Sequence, residues 1–312
     1  MKSISIKSPA TIANLVCGFD ILGLALAEPY DLMHLEIRDE PGLQIIHEDE
    51  HQLPTEPEKN VAGAALLALM EEMPVKKGFL LRVNKMIKPG SGLGSSAASA
   101  AGAVYAANQL LGNIYSNDDL IRFAMFGEKL ASGVKHADNI TPCLLGGVTL
   151  IRSILPLDVV RLDAPEIHIS VVHPQIEVRT SDARQILKTE VSLKQAIRQW
   201  GNIAGLVAGL MKGDHQLISR SLEDVIIEPA RSILIPGFDE VKKRSLEAGA
   251  LGGGISGSSP SIFMLSEKRS TAERVTKEME AVFHRMGIDN KTYVTQLNHQ
   301  GITLNENEHA IL

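Results

Sequence analysis

An α+β architecture in two domains is predicted by this sequence, and three observations carry the prediction. The chain has 312 residues, enough for about two domains. Stretches with strand and helix periodicity interleave without strict β–α–β alternation, which favours α+β over a doubly wound parallel sheet. Residues 156–165, a run of Pro, Asp and Leu around short apolar pairs, read as a linker near the middle of the chain.

Residues 3–7 alternate polar and apolar and predict a strand. A glycine-punctuated loop and a short helix are expected over 17–26. Residues 31–46 read as two strands split at 39–42. Helical spacing with Asn60 at its start predicts a helix over 60–73, followed by a strand over 79–87. A helix of Ala, Ser and Gly is expected over 95–111, its tiny side chains letting neighbouring backbones come close. Ser116, Asn117 and two aspartates open a further helix to about residue 132. Residues 144–154 read as a strand. Beyond the linker, strands are expected at 167–173, 261–265 and 291–296, and helices at 181–188, 193–211, 215–224, 238–248 and 271–286. Residues 249–259 read as a second small-residue loop, and the polar tail after Asn305 as a fraying end. There is no internal repeat.

Bulk properties exclude several classes. A formal charge of −6 gives no electrostatic footprint for nucleic acid. Cys17 and Cys143 lie far apart, form no metal-type cluster and suggest a reduced compartment. No apolar signal-peptide core occupies the first twenty residues. The uncharged stretch 89–117 holds too much Gly, Ser, Asn and Gln for a membrane span. A cytoplasmic protein, with neither nucleic acid nor membrane as partner, is expected.

The most informative segment is Lys88-Pro-Gly-Ser-Gly-Leu-Gly-Ser-Ser-Ala-Ala-Ser99. Gly90, Gly92 and Gly94 permit a tight backbone turn and close approach of a ligand. The helix that follows offers unpaired amides and the positive end of its dipole to an anion. Ser95 and Ser96 add hydroxyls for phosphate oxygens or magnesium. A plain strand-to-helix turn needs one such glycine. The segment is neither a P-loop, having no G-x-x-x-x-G-K-[ST], nor a dinucleotide fingerprint, its spacing being G-x-G-x-G. Polyphosphate binding is therefore the expectation.

Three further constellations join it. Glu128, late on a helix, precedes Ser132-Gly-Val-Lys-His-Ala-Asp-Asn139; a carboxylate and a serine hydroxyl could share one magnesium bridging phosphates. By itself Glu128 would be a solvated face residue, and His136, Asp138 and Asn139 turn residues. In Ser8–Asp20, Asn14 and Asp20 sit among apolar residues, which is costly unless each finds a partner; local Asx turns are the simple alternative. The glycine-rich 249–260 segment offers a second close backbone approach. Arg184 and Arg231 suit bidentate carboxylate recognition, although either by itself reads as a surface ion-pair residue.

Together these segments resemble the GHMP small-molecule kinases, and within them the homoserine kinase group. The resemblance rests on Pro-Ala-x-x-Ala-Asn-Leu-x-x-Gly-Phe-Asp from Pro9, Gly-Leu-Gly-Ser-Ser-Ala from Gly92, His-Ala-Asp-Asn from His136, Glu-Pro-x-Arg-x-x-Leu-Ile-Pro-Gly-Phe from Glu228, and Ile-Ser-Gly-Ser-x-Pro from Ile255. These run from Ser8 to Pro260. One departure is local: Lys88 stands where the family usually has proline, and Pro89 follows.

The resemblance implies an ATP-binding domain over 1–160, like domain 2 of ribosomal protein S5 with a left-handed βαβ crossover, and a ferredoxin-like domain over 161–312. It implies phosphorylation of the side-chain hydroxyl of L-homoserine in threonine biosynthesis, with ATP and Mg2+, often in a homodimer. A GHMP kinase for mevalonate or a sugar, or an inactive nucleotide-binding sensor, is the alternative. By position, Lys88, Pro89, Gly90, Ser91, Gly92, Leu93, Gly94, Ser95, Ser96, Ala97 and Ala98 would wrap the phosphates, and Asn60 would lie near adenine. Ser96 and Glu128 would hold magnesium. Asp20 would meet the substrate ammonium, and Arg184 and Arg231 its carboxylate. Asn14, Thr180 and His136 would line the pocket, and Asn139 would orient the hydroxyl. The proton would pass to Asp138 or to the phosphate itself.

Overall fold

The computed structural model describes residues 2–178, 180–258 and 260–305, with the backbone alone for Thr180 and Ser181. The first sheet starts with β1 (Ser3–Ala13), antiparallel to the long β2 (Leu22–Arg38). β3 (Gly42–His47) runs into α1 (Val61–Glu72) and returns as β4 (Gly78–Asn84), which pairs parallel to β3 and antiparallel to β2. α2 (Ser95–Leu110), α3 (Asn117–Ser132) and the short α4 (Ile140–Leu145) follow. β5 (Val148–Ile154) joins the first part of β2, and β6 (Leu157–Leu162) forms a hairpin with β5.

α2 lies buried among β1, β2, α1 and α3. Its composition answers to that position. A Cβ at Gly102 would stand 2.5 Å from Met33 Sδ, and one at Gly127 of α3 would stand 2.4 Å from the Val61 carbonyl oxygen. Only small residues let these elements approach so closely.

The second sheet begins with β7 (His168–Pro174). Then come α5 (Thr180–Gln185), α6 (Leu193–Lys212), α7 (His215–Ser221), α8 (Glu228–Arg231) and α9 (Phe238–Glu247). β8 (Gly252–Ile255), β9 (Ile262–Ser266), α10 (Arg269–Arg285) and β10 (Asn290–Gln296) complete it. The strand order is β10-β7-β9-β8, all antiparallel, as a ferredoxin-like sheet requires. The period of two divides its side chains. Val172, Ile262 and Met264 pack with Val275, Met279 and Phe283 of α10, while Ile169, Val171, Phe263 and Leu265 belong to the large core that also takes in the first sheet and Leu206 and Leu210 of α6. The chain then returns: β11 (Thr303–Leu304) pairs with β1.

Four expectations need correction. No helix occupies 17–26; residues 14–21 form a turn and β2 starts at Leu22, because Gly23 and Leu24 are paired on both edges, by β1 and β5, and Leu22 by β5. Those tertiary pairings override the helical preference of Leu and Ala. The expected strand over 144–154 divides into α4 and β5 at the Gly146–Gly147 turn. The 156–165 linker is mostly β6. The 249–259 loop contains β8, whose glycines are there for contact: a Cβ at Gly253 would lie 2.0 Å from the Phe263 carbonyl oxygen. The tail after Asn305 lies outside the described residues.

Candidate active site

Gly90, Gly92 and Gly94 have φ of +76°, +79° and +65°, the left-handed region that favours glycine. Gly94 is the N-cap of α2, so the loop leads directly into the exposed amides of that helix. The loop is held from three sides. The Thr11 amide donates to the Leu93 carbonyl at 3.1 Å, the Ser95 hydroxyl to the Ile87 carbonyl at 2.8 Å, and the Ser256 hydroxyl to the Gly92 carbonyl at 2.7 Å.

A cavity of about 340 Å³ opens over this loop. Pro89, Gly90, Gly92, Gly94, Ser95 and Ser96 line it, with Glu128 and Asn139 opposite. The Ser96 hydroxyl donates to Glu128 Oε2 at 3.1 Å. Burial pushes the Glu128 carboxyl above its ordinary value, the Ser96 hydrogen bond opposing. A buried carboxylate beside a hydroxyl at the edge of an anion cradle has the oxygen donor set of a magnesium site.

The remaining loop residues lie elsewhere. Leu93, Ala97 and Ala98 face the core, and the buried Ser91 hydroxyl accepts from the Leu93 amide at 3.4 Å. Lys88 turns away: its ammonium donates to Gln175 Oε1 at 2.5 Å and lines a separate cleft beside Lys291 and Tyr293. Asn60 is buried as the N-cap of α1. Its Oδ1 accepts from the Ala62 and Gly63 amides, and its Nδ2 meets the Pro54 carbonyl and His47. Val61 and Leu53, not Asn60, reach the cavity.

A second, smaller pocket of about 50 Å³ adjoins the first and shares Glu128, Ser132, Asn139 and Gly257 with it. Asn14, Asp20, His136, Asp138, Arg184 and Arg231 converge there from four distant parts of the chain. Asn14, Leu15, Val16 and Asp20 all have positive φ, from +40° to +75°. For a β-branched valine that is a strained conformation, and such strain gathers at functional sites. The turn is locked by its own bonds: Asn14 Oδ1 accepts the Asp20 amide at 3.0 Å, and Asn14 Nδ2 donates to the Gly257 carbonyl at 2.9 Å. Arg231 donates from Nε to the Ala183 carbonyl at 2.9 Å and from Nη1 to the same Gly257 carbonyl at 3.0 Å, with its guanidinium 4.8 Å from the Phe19 ring centroid. Burial, aided by Arg184, lowers its pKa to about 10, so it remains charged.

Arg184 Nη2 lies 3.1 Å from Asp20 Oδ1 and 2.7 Å from His136 Nε2. Acid and guanidinium thus neutralise one another across the pocket. Burial depresses the His136 pKa, Asp20 opposing and Arg184 assisting. Asp138 is buried, and desolvation, with Asp20 and Glu128 adding like charge, raises its pKa to about 7. Thr180 contributes its backbone to α5; its side chain lies outside the described residues.

Other residues at the site had gone unassigned. Thr11 donates to Asn139 Oδ1 at 2.7 Å. Lys85, at the floor of the large cavity, donates to Asp31 Oδ2 at 2.5 Å, Ser99 Oγ at 2.8 Å and the Ser95 carbonyl at 3.1 Å. Asp31 also accepts the Met86 and Ile87 amides, both at 2.9 Å. A buried ion pair thus ties the strand before the loop to the helix after it. Both residues stand in strand-like stretches that carry other charges as well, so only their burial in the fold marks them as a pair.

Known proteins resemble this chain in sequence and in fold. The model of the GHMP kinases N terminal domain matches residues 60–147, and that of the GHMP kinases C terminal matches residues 206–285. The homoserine kinase of Chloroherpeton thalassium is 46% identical over 92% of this chain and 94% of its own length. That of Chlorobium phaeobacteroides is 44% identical over 91% and 92%. The crystal structure of homoserine kinase from Cytophaga hutchinsonii superposes with a TM-score of 0.94 at 47% identity, covering 98% of each chain.

Proposed function

The chain belongs to the GHMP kinase family, and from that premise we propose that it transfers the γ-phosphoryl group of ATP to the side-chain hydroxyl of L-homoserine, giving O-phospho-L-homoserine and ADP, a step in threonine biosynthesis. Residues 1–160 carry the nucleotide and 161–312 close the amino-acid pocket, in a cytoplasmic homodimer. The observation that carries this reading is the convergence of Asp20, Arg184 and Arg231 in a pocket adjoining the glycine-loop cavity. An α-amino acid presents one cation and one carboxylate. One acid and two guanidinium groups answer both, whereas a hydroxy acid or a sugar gives Asp20 no cation to meet.

Phosphoryl transfer needs placement and charge neutralisation more than covalent help. The loop amides and the α2 dipole receive the phosphates. Ser96 and Glu128 would hold a magnesium ion through their side-chain oxygens. When bound, that ion supplies positive charge to the phosphate oxygens. Asn139 lines both pockets, and its Oδ1 is occupied by Thr11, so Nδ2 is the end offered to the substrate hydroxyl. It donates to that oxygen and leaves a lone pair for attack, about 3–3.5 Å from phosphorus. Asp138, with its pKa raised to about 7, stands in the same pocket to accept the released proton.

A coupled ADP-release assay with L-homoserine, D-homoserine, L-threonine, L-serine and mevalonate tests the reading. L-homoserine is expected to give the highest kcat/KM. Preference for mevalonate, or no turnover of any alcohol, overturns it.

A further inference from the structure

Phe19 stands among the polar residues that line the amino-acid pocket, and its ring bears two cations. The Arg231 guanidinium carbon lies 4.8 Å from the ring centroid and that of Arg184 lies 5.8 Å from it. Both are within the range at which the negative face of a ring attracts a cation. The arginines come from α8 and α5, and the ring from the strained turn between β1 and β2. Gly18 fixes that turn beside the ring. Its carbonyl accepts the Ile21 and Leu22 amides at 3.0 and 2.9 Å, and a Cβ on it would lie 2.4 Å from the Leu22 side chain.

Arg231 needs such a partner. It is 3% exposed, and among the described residues no carboxylate lies within ion-pair distance of it. Asp20, Asp138 and Asp224 act on it from further away, and Arg184 repels it. Backbone carbonyls take one N–H at Nε, through Ala183, and one at Nη1, through Gly257. A buried guanidinium with no more than that is costly. A carboxylate in contact would offset the cost, but it would also quench the charge and occupy the donors that a substrate carboxylate needs. A ring face does neither: it attracts the cation and takes up no N–H. Arg184, in contrast, is partly exposed and already meets Asp20 and His136.

We propose that Phe19 is a positioning residue for the substrate carboxylate: its ring holds the Arg184 and Arg231 guanidinium groups together, charged and with donors to spare, so that both close on one carboxylate. The proposal rests on the reading of this pocket as the amino-acid site. Without the ring, two like charges share a small space with Asp20, the acid that the substrate ammonium also claims. The arginines then part, and the pocket loses its hold on the carboxylate end of the substrate while keeping the ammonium and hydroxyl ends.

Mono-, di- and trifluorinated phenylalanines placed at position 19 of the full chain test this, because each fluorine withdraws electron density from the ring face at nearly constant volume. Calorimetric affinity for L-homoserine should weaken at each step, by ~10- to 30-fold over the series, and its KM should rise in parallel. The kcat and the KM for ATP should stay within about twofold, since the reacting atoms and the phosphate loop are untouched. 3-Amino-1-propanol, which is homoserine without its carboxylate, should bind every member of the series alike. Phe19→Leu should lose as much homoserine affinity as the trifluorinated ring. A flat series overturns the proposal even where Phe19→Leu binds weakly, because the ring then only fills space. An equal loss for 3-amino-1-propanol overturns it too. The wild type separates this from the choice of substrate. If it phosphorylates L-homoserine and the series is flat, the role of Phe19 alone falls; if it does not phosphorylate L-homoserine, the substrate reading falls and this proposal with it.

Discussion

Asp20→Asn separates charge from shape in the amino-acid pocket. The substitution keeps the side-chain volume, and asparagine tolerates the φ of +60° that Asp20 adopts. It also keeps an acceptor for Arg184. What it removes is the negative charge that, in the proposed binding mode, receives the substrate ammonium. Two quantities set the size of the effect. A hydrogen bond to a charged group contributes about 1.5–3 kcal/mol. Against it stands the Asp20–Arg184 pair, which the substrate must part. Both side chains are about one-third exposed, 31% and 33%, so that pair is worth only ~0.2–1 kcal/mol, and the variant no longer loses it on binding. The net loss is about 0.5–3 kcal/mol, a ~2- to 100-fold weaker affinity for L-homoserine. Initial rates with varied homoserine at saturating ATP, together with direct calorimetric binding, measure it. The KM for ATP should stay within about twofold, since the phosphate loop is untouched. 4-Hydroxybutyrate, which lacks the ammonium, should bind wild type and variant alike, closing a double-mutant-type cycle. An unchanged homoserine affinity, or an equal loss for 4-hydroxybutyrate, would refute the assignment of Asp20 to the ammonium.

Lys85→Met leaves Asp31 as an unpaired buried charge below the phosphate loop and should lower unfolding free energy by about 3–5 kcal/mol, read as a lower urea midpoint; an unchanged midpoint would show that the pair does not hold the loop. Asp138→Asn should lower turnover while leaving ATP binding intact; wild-type turnover would remove Asp138 from the mechanism. The same variant carries a pH signature. The Asp138 pKa is raised in the folded chain to about 7 from an ordinary 3.8, so the folded state keeps a proton that the unfolded state releases. The stability this provides is full below pH 3.8 and is lost as pH rises through 7. Urea titrations at pH 5 and pH 8 should therefore show Asp138→Asn gaining on the wild type at the higher pH; a pH-independent difference would contradict the burial of an ionisable group there.

Much of the site was legible because its demands are local. Three alternating glycines announce a backbone that must enter the left-handed region, and the small-residue run after them announces a helix pressed on all sides. Asn14 and Asp20 stood out as polar residues in apolar surroundings, and the structure supplies the partners they need. Where local preference competes with sheet pairing, the reading failed. Leu22, Leu24, Ala25 and Leu26 are helix formers held in a strand, flanked by β1 and, at 22–24, by β5, and Gly252–Ile255 reads as a loop although close strand packing is what excludes its side chains. Lys88 and Asn60 show a different limit. Each belongs to the right segment, yet the cavity is lined by neighbours one or two positions away, because side-chain direction depends on φ, ψ and competing partners.

Residue type and spacing by themselves predicted a glycine turn at the head of a helix, the place where an anion would sit, while the match of acid and guanidinium groups to an amino acid came from the family resemblance. The tertiary structure alone decided that Asp20 and Arg184, 164 residues apart, close on one another, that Thr11 orients Asn139, and that Lys85 and Asp31 brace the loop from beneath. The reason is physical: the conformation of a turn is set by the residues within it, whereas a contact between distant residues is set by how strands and helices stack, and no local preference encodes that stacking.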